Sequence, residues 1–224
     1  MNELSSYLRL KEIKKIEGYD VSHISGENAV ASCVVFSKMG PEKKNYRIFN
    51  IPNELSGNDV GSLKHVLERR IKYFDDPKIK PDLLLIDGGK TQLKFVNSAL
   101  KKSNHKDLKV ISIVKGLNRV RATETILSKD GILELDKNSK AFLILQEMRD
   151  EAHRFAIQAQ RKKKRKTISK SELDPVKGVG KVLKSRLLQN FKSIKNIREA
   201  NLSDLMTVEG INEKIAKLIM EKLK

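Results

Sequence analysis

The sequence predicts an α/β fold, a mixed five-stranded sheet flanked by helices, followed by a small all-α domain. Three observations predict it. Strand-like and helix-like segments follow one another as β-β-β-α-β-α-β down to Val114. Two of the later strands are uninterrupted apolar runs, the pattern of parallel strands covered on both faces. Beyond residue 170 the apolar period is helical and is broken by two glycine-centred turns.

Each element has its own reason. Ile16 to Val21 is short and apolar, Ala29 to Ser37 is rich in β-branched and small residues, and Tyr46 to Ile51 alternates with period two. Turn-like pairs at Glu27-Asn28 and Gly40-Pro41 separate them, so these three strands are expected to be antiparallel. Asp59 to Phe74 switches to helical period, with Leu63, Val66, Leu67, Ile71 and Phe74 on one face. Asp82 to Asp87 (DLLLID) and Lys109 to Val114 (KVISIV) read as buried strands, and Thr91 to Lys102 between them as an amphipathic helix. Thr125 to Leu135 has two apolar arms about Lys129-Asp130-Gly131, which reads as a hairpin. Lys140 to Gln160 is a long helix with a stripe of Ala141, Leu145, Met148, Ala152, Phe155 and Ala159.

The 224 residues carry a formal net charge of +18, unevenly placed. Arg154 to Lys224 holds 19 basic and 7 acidic residues; the first 153 residues hold 27 and 21. The run Arg161-Lys162-Lys163-Lys164-Arg165-Lys166 divides two textures, giving a domain at 12–160, a basic linker at 161–170 and a second domain at 171–224. Such a run is either a solvated linker or a neutraliser of phosphates. The single cysteine, Cys33, excludes an intrachain disulfide and four-cysteine zinc modules. No apolar run approaches ~18 residues, so no membrane partner is expected. Met1 to Glu12 lacks the apolar core of a secretory signal, so a cytoplasmic chain with a nucleic-acid partner is expected.

The candidate chemistry lies in acids on strands. Asp20 sits in an apolar strand, where a carboxylate is costly unless paired, hydrogen-bonded or metal-bound. Asp87 closes the next buried strand ahead of Gly88-Gly89-Lys90, at the strand end where open α/β sheets bind ligands. His153 lies beside the apolar stripe of the last long helix. Two strand carboxylates and an imidazole at one sheet edge suit a hard divalent cation, Mg²⁺ or Mn²⁺. Such an ion activates water and stabilises phosphate charge. Asp59 is a fourth candidate. Each has a structural alternative: Asp20 could cap a turn, Asp87 and Asp59 could cap helices, and His153 could be a satisfied core histidine. His65 and His105 read as an exposed helix position and a lysine-rich loop.

The C-terminal segment is duplicated. Lys177-Gly178-Val179-Gly180-Lys181 and Glu209-Gly210-Ile211-Asn212-Glu213 stand 32 residues apart, each beside apolar-periodic segments. The pattern resembles tandem helix-hairpin-helix motifs, in which a glycine turn lets backbone N–H groups approach a phosphate. Gly178, Val179, Gly180, Lys181, Lys184, Gly210, Ile211, Asn212 and Lys214 are the candidate DNA contacts, with Arg186 adding charge. Asn212 stands where a second glycine is usual, which would weaken the second hairpin's grip. The alternative is a helical hairpin with glycine caps and no ligand.

Three motifs in order carry a wider resemblance. IEGYDVSHISG from Ile16, DLLLIDGGKTQL from Asp82 and MRDEAHRFAI from Met148 resemble the C-terminal half of the UvrC family, the incision subunit of bacterial nucleotide excision repair. The resemblance implies an RNase H-like endonuclease domain followed by a tandem helix-hairpin-helix domain. It implies a divalent-metal-dependent cut on the 5′ side of a lesion in double-stranded DNA, with a triad of Asp20, Asp87 and His153 and a further acid at Asp59. It implies UvrB as partner, and a chain from which the family's N-terminal nuclease and UvrB-binding segment are missing. Two other readings stay open: a catalytically silent DNA-binding scaffold, and a junction- or transposase-type nuclease of the same fold.

Overall fold

The computed structural model describes residues 1–22, 29–115 and 124–223. The turn expected at Glu27-Asn28 and the end of the first motif lie outside the described residues. Two compact units divide the chain, Met1–Gln160 and Arg161–Lys224.

The first unit contains α1 (Asn2–Tyr7), β1 (Lys15–Ser22), β2 (Val30–Ser37), β3 (Gly40–Pro41), β4 (Arg47–Asn50), α2 (Asp59–Arg70), β5 (Leu83–Asp87), α3 (Lys90–Lys101), β6 (Lys109–Lys115), β7 (Glu124–Ser128) and β8 (Gly131–Leu133), and α4 (Lys140–Glu172) begins in it. The sheet order is β3-β2-β1-β5-β6-β7-β8, with β4 also on β2. β1 is antiparallel to β2 and parallel to β5, which is parallel to β6. The five expected strands are thus present as β4-β2-β1-β5-β6. The sheet itself has eight strands rather than five. The hairpin β7–β8 continues the ladder from the open edge of β6, with Ile113 opposite Ile126, and so satisfies backbone groups that an edge would leave unpaired. Gly40–Pro41 adds a two-residue bridge on β2.

The domain does not begin at residue 12. α1 contributes Leu4 and Leu8 to the core, and Glu3 Oε2 accepts the Ala141 N–H at 2.9 Å near the start of α4. β1 shows why both faces are covered. Gly18 and Asp20 lie on the face packed by α4, where Met148 sits over Gly18. Glu17 and Tyr19 lie on the opposite face, where Arg70 at the end of α2 pairs with Glu17 and Tyr19 Oη donates to Glu17 Oε2 at 2.5 Å. The buried stripe of α4 is Ala141, Leu145, Met148, Ala152 and Ala156; Phe155 and Ala159 are half-buried. α4 also runs on through the segment expected to be a linker. Lysine and arginine are good helix formers, and no Gly or Pro interrupts the chain before Pro175.

The second unit holds α5 (Lys181–Phe191), α6 (Ile194–Glu199), α7 (Leu202–Met206) and α8 (Glu213–Leu223). Its core repeats at the spacing of the two turns. Leu173, Val176, Val179 and Leu187 are buried, and so are Leu205, Val208, Ile211 and Ile219.

Candidate active site

The parallel register sets Tyr19 opposite Ile86. The next residue of each strand, Asp20 and Asp87, therefore stand side by side at the carboxyl ends of adjacent strands. Asp20 is buried, at 6 % exposure, whereas Asp87 is half-buried. α4 closes the third side. Ser32, opposite Asp20 on β2, donates through Oγ to the Ala152 carbonyl at 2.8 Å, fixing α4 one residue before His153. About two turns further on, Gln160 Nε2 donates to the Ser22 carbonyl at 2.6 Å. Gly18 allows the close approach: a Cβ there would meet Val34 Cγ2 at 3.1 Å and Met148 Cε at 3.3 Å. His153 is then half-exposed, with Nδ1 3.5 Å from Asp20 Oδ2.

Burial pushes the Asp20 carboxyl above its ordinary range; His153 and a hydrogen bond to Asp87 pull it back, and the charge of Asp59 pushes it up again. His153, Asp87 and Asp59 therefore each lie within electrostatic reach of Asp20. Among the described residues, Asp20 Oδ2 is buried without a hydrogen-bond partner. Among the described residues, no group of three or more His, Cys, Asp and Glu side chains closes into a ready-made metal cage.

The helix-capping alternatives fail on geometry. The N-cap of α2 is Asn58, whose Oδ1 accepts the Gly61 N–H at 2.8 Å, so Asp59 is not needed there. The N-cap of α3 is Gly89, whose N–H donates to Gln92 Oε1 at 2.9 Å, so Asp87 is not needed there either. Sequence reasoning missed Ser32 and Gln160, which carry no distinctive signal. Gly18 did carry one, an isolated glycine inside a strand. His105 is not in a solvated loop: it is buried, 3.4 Å from Asp75, with its ring edge-on to Phe74.

In the second unit the two turns are built alike. Gly178 and Gly210 have φ of +93° and +90°, the left-handed region that glycine alone enters freely. Each packs under the other half's helix, Gly178 beneath Ile215 and Gly210 beneath Leu183. They differ at the following cap. Gly180 caps α5 with no side-chain hydrogen bond, whereas Asn212 Oδ1 accepts the Ile215 N–H at 2.9 Å. Lys181 and Lys214 are exposed, but Lys184 is engaged by Asp174, and Arg186 holds the Glu209 carbonyl at 2.9 Å. The predicted cation cluster is thus partly structural, because a long side chain beside a carboxylate pairs within the unit first.

A mixed sheet with paired acids at its strand ends, followed by two glycine-turn helical hairpins, defines the class: an RNase H-like endonuclease domain joined to a helix-hairpin-helix tandem. Comparison with known proteins gives the family. Residues 5–157 match the model of the UvrC RNAse H endonuclease domain, and 170–224 that of a SAM-like helix-hairpin-helix tandem. The chain is 39 % identical over 213 residues to UvrABC system protein C of Legionella pneumophila (strain Paris), covering 94 % of this chain and 34 % of the relative. It is 37 % identical over 231 residues to the protein of that name from Haemophilus influenzae, covering 99 % and 37 %. The chain belongs to the UvrC family and spans about a third of the length of these relatives. Among solved structures it is similar to the catalytic domain of human Endonuclease V, at 19 % identity and a TM-score of 0.40 over 70 % of this chain and 85 % of that one.

Proposed function

We propose that this chain is the region of the excinuclease subunit that makes the 5′ incision in damaged double-stranded DNA during nucleotide excision repair, with UvrB as its partner in the incision complex. The observation that carries the reading is the pair Asp20 and Asp87 at adjacent strand ends, with Asp20 Oδ2 buried and lacking a hydrogen-bond partner among the described residues. A buried carboxylate oxygen left in that condition costs folding energy and is what a cation would satisfy. The donor set fits a hard divalent ion, Mg²⁺ or Mn²⁺: Asp20 and Asp87 would hold it, with His153 completing the set. When bound, such an ion supplies Lewis-acid stabilisation of the phosphate charge and acidifies water.

The chain's own residues do the rest. The strands fix both carboxylates before substrate arrives, so little reorganisation is needed. Ser32 and Met148 hold α4 so that His153 faces Asp20. Held off the ion, the half-exposed imidazole would instead take the proton of the attacking water and release it to solvent. Asp59 adds negative charge close to Asp20. The turn at Gly178, Val179, Gly180 and Lys181, exposed except for the buried Val179 side chain, would hold a backbone phosphate, and Gly210, Ile211, Asn212 and Lys214 a second, weaker one.

The test is an incision assay on duplex carrying a single lesion, loaded with UvrB and titrated with Mg²⁺ or Mn²⁺. A metal-dependent cut on the 5′ side is expected. DNA binding with no cut at any metal concentration would favour the silent scaffold.

A further inference from the structure

On the face of the sheet opposite α4 lies a groove of about 560 Å³ between the edge strand β4 and the C-terminal end of α2. Arg47, Phe49, Arg69, Arg70, Lys72 and Tyr73 line it, and among the described residues no carboxylate does. Arg47 sits beside Cys33, which sits beside Tyr19, so the groove belongs to the Tyr19 face of β1 and not to the Asp20 face.

We infer that this groove binds single-stranded nucleic acid, as a second contact surface separate from the Asp20–Asp87 site. Arg70, which also lines the groove, is spent on Glu17, but the other three cations are displayed. Among the described residues, Arg47, Arg69 and Lys72 form no ion pair; Arg47 donates only to the carbonyls of Lys44 and Tyr46. Arg69 is held over the Phe49 ring, 5.6 Å from its centroid, which orients a guanidinium along the floor. The acids nearest in sequence are committed elsewhere: Glu68 faces Lys64 at 3.8 Å, Asp75 faces His105, and Asp76 accepts the Lys78 N–H. Tyr73 is 59 % exposed, and among the described residues its ring has no aromatic or cation partner. A basic track with an exposed ring is the arrangement that grips phosphates and stacks bases, and stacking needs bases that are not already paired in a duplex. An acidic peptide would satisfy the cations but would leave the ring without a role.

The test reads binding of the full chain to fluorescent oligo(dT) in EDTA, so that it is independent of incision. Tyr73→Ala should weaken binding about fivefold or more, while Tyr73→Phe, which keeps the ring, should bind as the parent does. Arg69→Ala with Lys72→Ala should lower the slope of affinity against salt. Photocrosslinking with 5-iodouracil oligonucleotide should place the adduct on Tyr73. Parent-like affinity and salt slope in all variants, with no adduct at Tyr73, would overturn the proposal. So would loss of polyglutamate binding in these variants with oligo(dT) binding intact, which would make the groove a protein-docking surface.

Discussion

The imidazole Nδ1 of His153 stands 3.5 Å from Oδ2 of Asp20, across the contact between α4 and β1. That separation allows attraction between charges but is too long for a hydrogen bond. Among the described residues, Asp20 therefore keeps a buried oxygen unsatisfied, with its carboxyl held above the usual range by burial. This is an expensive arrangement for stability, and a bound cation would relieve it.

A pH dependence follows. The folded chain binds the Asp20 proton more tightly than the unfolded chain does. Stability from this group is therefore fully present below the ordinary carboxyl range and is lost as pH rises through the raised folded value. In EDTA, Asp20→Asn should remove this dependence and melt higher than the parent at neutral pH. A thermal melt series checks both points, and an unchanged or lower melting temperature at neutral pH would contradict them.

Glu17 is fully buried and its carboxylate is held by Arg70 and the Tyr19 hydroxyl, joining β1 to the end of α2. Glu17→Gln should cost about 3–5 kcal/mol by leaving the guanidinium without its charge. Replacing both residues by Met should cost less than the single change. Urea unfolding of the parent and the two variants measures the difference.

Gly18→Ala should destabilise by about 1–3 kcal/mol, because Val34 and Met148 crowd the added methyl. The same change should slow incision, since Met148 lies on the helix that carries His153. In the Gly18→Ala background, Met148→Ala should cost less than it does alone. Additive losses in a double-mutant cycle would count against this packing account.

The two hairpins should respond differently. Gly210→Ala meets Leu183 Cδ2 at 2.7 Å in addition to its positive φ, whereas Gly178→Ala meets nothing closer than 3.5 Å. Gly210→Ala is expected to be the more damaging to folding of the second unit. Asn212→Gly frees the Ile215 N–H that its side chain now occupies. It should cost only a few tenths of a kcal/mol in stability and tighten duplex binding by about two- to tenfold. Anisotropy titrations with duplex DNA test this.

Much of this was readable in advance, and the exceptions share a cause. Alternating and continuous apolar runs fixed the five central strands, and the misfit of Asp20 inside such a run marked the site. Residue type alone could not decide whether Asp59 and Asp87 were caps. That depended on Asn58 and Gln92 reaching the N–H groups first. The hairpin's place at the edge of β6, the burial of His105 and the pairing of Lys184 with Asp174 are all tertiary contacts. Local periodicity carries no information about them. The basic run after Gln160 was ambiguous because lysine and arginine suit a linker and a helix equally.

The central claim is that Asp20, Asp87 and His153 form one metal-dependent nuclease centre. The most direct measurement is Mn²⁺-dependent 5′ incision by the parent, Asp20→Asn, Asp87→Asn and His153→Ala chains, with duplex affinity measured in parallel. Each variant should lose at least about a hundredfold in rate while binding DNA as the parent does. Incision at the parent rate by Asp87→Asn or Asp20→Asn would contradict the account.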